Sequence, residues 1–155
     1  MGIKSFQGRR AEPEKVETAS VSVSDYMSTN LVTFTEDQSI YEVMELLMKH
    51  SISGGCVVDE KNNLVGVISE GDCMKHISDC RYYNMPDDHN TVKQRMTCHV
   101  ETIDANMNVL DAAKKFIECK FRRFPIVKDG KLIGQISQRD VLRAALNLKG
   151  DNWHS

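Results

Sequence analysis

Apolar residues recur along the chain in an order that is met twice. Leu31-Val32-Thr33-Phe34 is a short β-branched and aromatic run, the composition of a strand. Ser39-Ile40-Tyr41-Glu42 follows as a capping box, in which the serine oxygen accepts from the third helical N–H and the glutamate reaches back. The helix it opens places Ile40, Val43, Met44 and Leu47 at i, i+3, i+4 and i+7, on one apolar face. Gly54-Gly55 closes this region and Cys56-Val57-Val58 reads as a buried strand. Asp59 to Asn63 supplies turn residues, and Leu64 to Ile68 is the next strand. Ser69 to Ile77 opens a second helix.

The same order then returns. Val100 to Ile103 predicts a strand, Asn108 a looser cap, and Val109, Ala112, Ala113 and Phe116 a second amphipathic helix. Pro125-Ile126-Val127 is a strand, Asp129-Gly130 a tight turn and Leu132 to Ile136 its hairpin partner, before a closing helix over Ser137 to Leu148. Met27 matches Met96, Thr33 matches Thr102 and Val57 matches Ile126, each 69 residues on; Gly66 with Gly134, Ser69 with Ser137 and Asp72 with Asp140 follow at 68, one turn residue having been lost. Each copy is β-α-β-β-α, and a unit of roughly fifty residues buries too little surface to be comfortable alone. An α+β fold follows, with two repeats packed through their sheets around one core. The expected division is a polar tail over 1–20, a first repeat over 21–78, a connector over 79–91, a second repeat over 92–148 and a C-terminal tail over 149–155.

Charge and composition narrow the function. Among 155 residues the formal net charge is −2, so there is no basic field of the kind nucleic-acid binding needs. No apolar run approaches the roughly 20 residues of a membrane span, and no secretory segment follows the N-terminal charges, so the cytoplasm is the expected compartment. Five cysteines without framework spacing read as reduced thiols. Cys73, His76 and Cys80 fall at i, i+3 and i+7 of the second helix, which leaves open a metal or redox sensor beside plain packing of small apolar groups. The five histidines are dispersed, and neither a nucleophile–base pair nor a P-loop is present, so no enzyme and no catalytic cofactor is expected.

The repeated Gly-x-x-Ser-x-x-Asp, Gly66 to Asp72 and Gly134 to Asp140, carries the candidate chemistry. Ser-x-x-Asp at a helix start is a capping box in its own right. The strand glycine just upstream, with no turn to make, also marks close approach of a ligand or of another backbone. A helix N-terminus offers N–H groups and a positive dipole end to an anion, and an ionised aspartate suits the two hydroxyls of a ribose.

The duplicated unit with this motif resembles a cystathionine-β-synthase (CBS) domain pair over about residues 20 to 148. The matching features are Met27, Leu31-Val32-Thr33, Gly66, Ser69 and Asp72 in the first copy, and Met96, Val100 to Ile103, Arg122 to Val127, Gly134, Ser137 and Asp140 in the second. The resemblance implies two clefts binding an adenosyl ligand such as AMP, ADP, ATP, S-adenosylmethionine or NAD. It also implies a homodimer and an effector protein that reads the bound state. Carried over, one cleft joins Ser69, Asp72 and Gly66 to Thr102, Ile103, Arg122, Arg123 and Pro125. The other joins Ser137, Asp140 and Gly134 to Val32, Thr33, Ser53, Gly54 and Cys56. Two arginines grip phosphate in the first cleft only, so the nucleotide is expected there. A purely structural dimerisation module is the remaining alternative.

Overall fold

The computed structural model describes residues 21–82 and 90–153, except for the side chains of 82 and 150–153. The expected tail over 1–20, most of the connector with Tyr83, Pro86, Asp87 and Asp88, and residues 154–155 lie outside this range. A 3-10 turn at Val23–Asp25 precedes β1 (Thr33–Phe34), α1 (Ile40–His50), β2 (Gly54–Val58), β3 (Leu64–Ser69) and α2 (Glu70–Tyr82). The second half runs α3 (Val92–Arg95), β4 (Ile103–Asp104), α4 (Val109–Cys119), β5 (Arg123–Lys128), β6 (Lys131–Ser137) and α5 (Gln138–Trp153). The strands form two three-stranded sheets, β1-β2-β3 and β4-β5-β6. In each, the first pair is parallel and the second an antiparallel hairpin. The α+β tandem-repeat architecture read from the sequence is therefore the observed one.

Several local expectations shift. Only the last residues of Leu31–Phe34 and Val100–Ile103 join a ladder, because the stretch before each pairs with the opposite repeat. Ser28 exchanges backbone hydrogen bonds with Gln135 at 2.8 and 2.9 Å, and Thr97 with Val67 at 2.9 Å in both directions. Gly54 and Gly55 belong to β2 rather than ending the region before it, since they pair with Ser69 and Ile68. Helices α2 and α5 run on to Tyr82 and Trp153, past the expected Ile77 and Leu148. The box at Ser39 is half formed: Ser39 Oγ accepts from Glu42 N at 3.1 Å, while the Glu42 carboxylate accepts from Gln38 Nε2 at 3.5 Å. A complete box that hydrophobic periodicity did not mark sits at Ser22, whose N–H donates to Asp25.

The single shared core is replaced by three clusters. Phe34, Ile40, Val43, Leu47, Val57, Ile68 and Cys73 fill the space between sheet and helices of the first repeat, and Ile103, Val109, Ala112, Phe116, Phe124, Ile126 and Ile136 that of the second. Cys56, Val58 and Leu132 form a small cluster between the repeats. Each main core is completed from the other half of the chain. Val23, at the start of the first repeat, is buried in the second core, and Val92, at the start of the second, is buried in the first. The exchange keeps its symmetry in the backbone: Val23 N donates to Met107 O and Val92 N to Gln38 O, both at 2.9 Å.

The repeats fill one space in two ways. In the first, the Phe34 ring lies over Gly55, where a Cβ would come within 2.7 Å of it. Sixty-nine residues on, the pair is Ile103 and Phe124, so the aromatic ring is supplied by the neighbouring strand. The two copies thus place their aromatic ring on different strands, and the second sets an isoleucine side chain beside its ring where the first has a bare glycine.

Candidate functional site

Both Ser-x-x-Asp motifs sit at a strand-to-helix junction and both form capping boxes. Ser69 N and Oγ donate to Asp72 Oδ2 at 2.9 and 3.0 Å, and Asp72 N donates back to Ser69 Oγ at 3.3 Å. Ser137 N donates to Asp140 Oδ2 at 2.8 Å and Asp140 N to Ser137 Oγ at 3.2 Å. The second oxygens differ. Asp140 Oδ1 accepts from Arg143 at 3.2 Å, whereas among the described residues no group donates to Asp72 Oδ1.

Sheet register decides what lies beside each motif. Gly54 pairs with Ser69, and Glu70 N donates to Ser53 O at 2.9 Å, so Ser53-Gly54 flanks the first motif. Arg123 pairs with Ser137, and Gln138 N donates to Arg122 O at 3.1 Å, so the arginines flank the second. These ends of the two sheets meet across a cleft of about 290 Å³, near the low end of the roughly 300–1,000 Å³ usual for ligand sites. Ser53, Gly54, Cys56 and Ser69 line it from the first repeat, and Arg122, Arg123 and Pro125 from the second.

The cleft thus joins Ser69 to Arg122, Arg123 and Pro125, as expected for the first site, but it also holds Ser53, Gly54 and Cys56, which were expected at the second. Asp72 reaches the wall only through its bonds to Ser69. Thr102 and Ile103 are elsewhere: Thr102 borders a separate hollow with Leu64 and Gly130, and Ile103 is fully buried against Ile126. Ser137, Asp140, Val32 and Thr33 do not line the cleft, although Thr33 pairs with the lining residue Cys56. Gly66 and Gly134 make room for a segment of the opposite repeat, methionine side chain first and backbone behind it. A Cβ on Gly66 would stand 2.8 Å from Met96 Sδ and 2.9 Å from Thr97 O, and one on Gly134 would strike Met27 Sδ and lie 3.0 Å from Ser28 O. Of the two meanings of a strand glycine, approach of another chain segment is the one seen.

Phe121 and Gly55 also line the cleft from outside both motifs, together with Val67, Ile68 and Gln135 from the variable positions within them. For Phe121 the signal available was a departure from the repeat, since the residue 69 positions earlier is Ile52.

The electrostatics favour an anion. Arg122 and Arg123 are exposed and, among the described residues, neither enters an ion pair. Burial pushes the Cys56 thiol up to about 11, so at neutral pH it is an uncharged, weakly polar wall. A larger hollow of about 820 Å³ lies elsewhere, lined by Glu36, Asp37, Asp59 and Glu60 against Lys61 alone, a field that repels phosphate. The metal alternative finds no geometry. Cys73 is part of the first core and Cys80 Sγ lies 3.5 Å from Nε2 of the fully buried His76. Among the described residues no three His, Cys, Asp or Glu groups converge to hold an ion. Nor is any helix among them long and apolar enough to cross a membrane.

Comparison with known proteins places this geometry. The CBS domain family model matches residues 23–79 and 92–147. The CBS domain-containing protein CBSX2 of Arabidopsis thaliana chloroplasts is 30% identical over 162 residues, covering 86% of this chain and 67% of that protein. The crystal structure of CBSX2 in complex with AMP superposes with a TM-score of 0.70 at 32% identity, over 83% of this chain and 98% of the other. The CBS domain pair of protein MJ0100, in complex with 5′-methylthioadenosine and S-adenosyl-L-methionine, gives a TM-score of 0.66 at 26% identity, over 82% and 97%. An uncharacterised protein of Methanocaldococcus jannaschii, MJ1225, is 26% identical over 131 residues; these make up 84% of this chain but only 44% of that longer protein.

Proposed function

The chain belongs to the CBS-domain family, and from that premise we propose that it is a non-catalytic sensor of an adenosyl nucleotide, bound where Ser69 faces Arg122 and Arg123. The observation that carries this reading is the cleft itself, where two exposed guanidiniums meet a serine at a helix N-terminus. Guanidiniums hold phosphate oxygens in pairs, and helix N–H groups add donors for the same charge. Asp72 Oδ1, one hydrogen-bonded residue behind the lining Ser69 and accepting from none of the described residues, would serve ribose hydroxyls that reach past Ser69, whereas the corresponding oxygen of Asp140 is already paired. AMP bound to CBSX2, and the two adenosyl compounds bound to the MJ0100 pair, support the ligand class. The signal passes by population shift: a ligand gripping both repeats favours the arrangement that fits it, and a second copy of the chain or an effector protein reads the change.

Calorimetric titration of nucleotide-free protein with AMP, ATP, S-adenosylmethionine and NAD tests the proposal. One ligand is expected to saturate, with affinity falling about 10- to 150-fold in Asp72→Ala, the effect of losing hydrogen bonds to a charged group. Asp140→Ala is expected to leave that affinity within about threefold, and Asp72→Asn, which keeps an oxygen for the helix cap, controls for folding. Unchanged binding in both Asp72 variants would overturn the assignment of the site.

A further inference from the structure

The rim of the cleft carries an aromatic ring that the capping motifs do not explain. Phe121 lines the cleft beside Arg122 and Arg123, yet 47% of it remains exposed. Leaving that much ring in water forgoes burial free energy. The ring is nevertheless held firmly. It stands T-shaped to Phe124, with centroids 5.5 Å apart and planes at 88°, and the buried Phe124 in turn packs on Phe116 at 4.7 Å. Gln138 Nε2 donates to the Phe121 carbonyl at 3.0 Å, and Lys120 just before it turns the chain in the left-handed region at φ 57°. Among the described residues the buttress exists only in the second repeat. There Phe124 stands where the first has Gly55, and Ile52, the counterpart of Phe121, is partly buried against the first core.

A preorganised ring beside two cations is the arrangement that recognises a flat heteroaromatic base carrying a phosphate. Stacking uses a π-face and asks little conformational entropy of a side chain with two torsions. We propose that Phe121 is the base-recognition residue of this cleft, stacking on the base of a nucleotide whose phosphate Arg122 and Arg123 hold. The site then selects nucleotides over sugar phosphates of equal charge. This rests on the adenosyl-ligand reading above.

The test titrates AMP and ribose 5-phosphate, which lacks the base, against the unaltered protein, Phe121→Ala and Phe121→Trp. Phe121→Ala is expected to weaken AMP about 5- to 150-fold, the range for losing one base–aromatic stack, and to leave ribose 5-phosphate within about twofold. Phe121→Trp in a Trp153→Phe background is expected to keep AMP affinity within about threefold, with AMP but not ribose 5-phosphate quenching its fluorescence saturably. AMP affinity that ignores Phe121→Ala, or a fall shared equally by both ligands, would overturn the inference while leaving the nucleotide site standing. No saturable AMP binding by the unaltered protein would remove the ligand reading and this inference with it.

Discussion

At Cys56 burial works against ionisation, and the sign of the effect on stability follows. The thiol moves from 9.0 to about 11 on folding, so between these values the folded chain keeps a proton that the unfolded chain has lost. Stability is therefore intact below about pH 9 and declines as pH rises toward 11, by a total on the order of 2–3 kcal/mol. Thermal unfolding at pH 8.5, 9.5 and 10.5 should show a decline that is shallower in Cys56→Ala. The slope left in that variant includes Cys73, which burial and then the charges of Asp72 and Glu70 also push up. The glycines show where residue-level reading stops. Gly66 and Gly134 announced that something approaches the strand closely, but a missing side chain does not say what occupies its place. Met96 and Met27 do, and each belongs to the opposite repeat from the glycine it covers.

Elements with a strong local cause were legible and elements with a distant cause were not. Helices α1 and α4 follow from their apolar spacing, and their caps at Ser39 and Asn108 form the expected first bonds. Strands β1 and β4 came out shorter than their composition suggests, since a chain crossing between sheets pairs only where it arrives. Helix α3, four residues long, has too little periodicity to show. Both long helices before a strand end alike: Ser51 and Lys120 adopt the left-handed conformation at φ 53° and 57°, each donating back into the last turn. A residue with a Cβ loses about 1–2 kcal/mol there, of which glycine recovers part after its greater unfolded entropy. Ser51→Gly and Lys120→Gly are each expected to raise the melting temperature by about 1–4 °C. A fall in either, measured by calorimetry, would mean that the side chain contributes more than the turn costs.

At the scale of the whole molecule, duplication made the family readable, whereas the sharing of the cleft was not. Residue spacing aligns the copies but carries no account of register, and it is register that sets Ser53-Gly54 beside Ser69 and the arginines beside Ser137. The crossed burial of Val23 and Val92 has a measurable signature. Truncating either to Ala costs about 2 kcal/mol in lost burial and cavity formation, at a place remote in sequence. In hydrogen exchange, Val23→Ala should release β5 and β6 before β2 and β3, and Val92→Ala the reverse. Loss of protection in the repeat that follows each residue would contradict the crossed arrangement. Because each half carries the stopper for the other's interior, a chain cut between its repeats should behave as two complementary fragments. Neither can close alone, and mixing them should restore both at once.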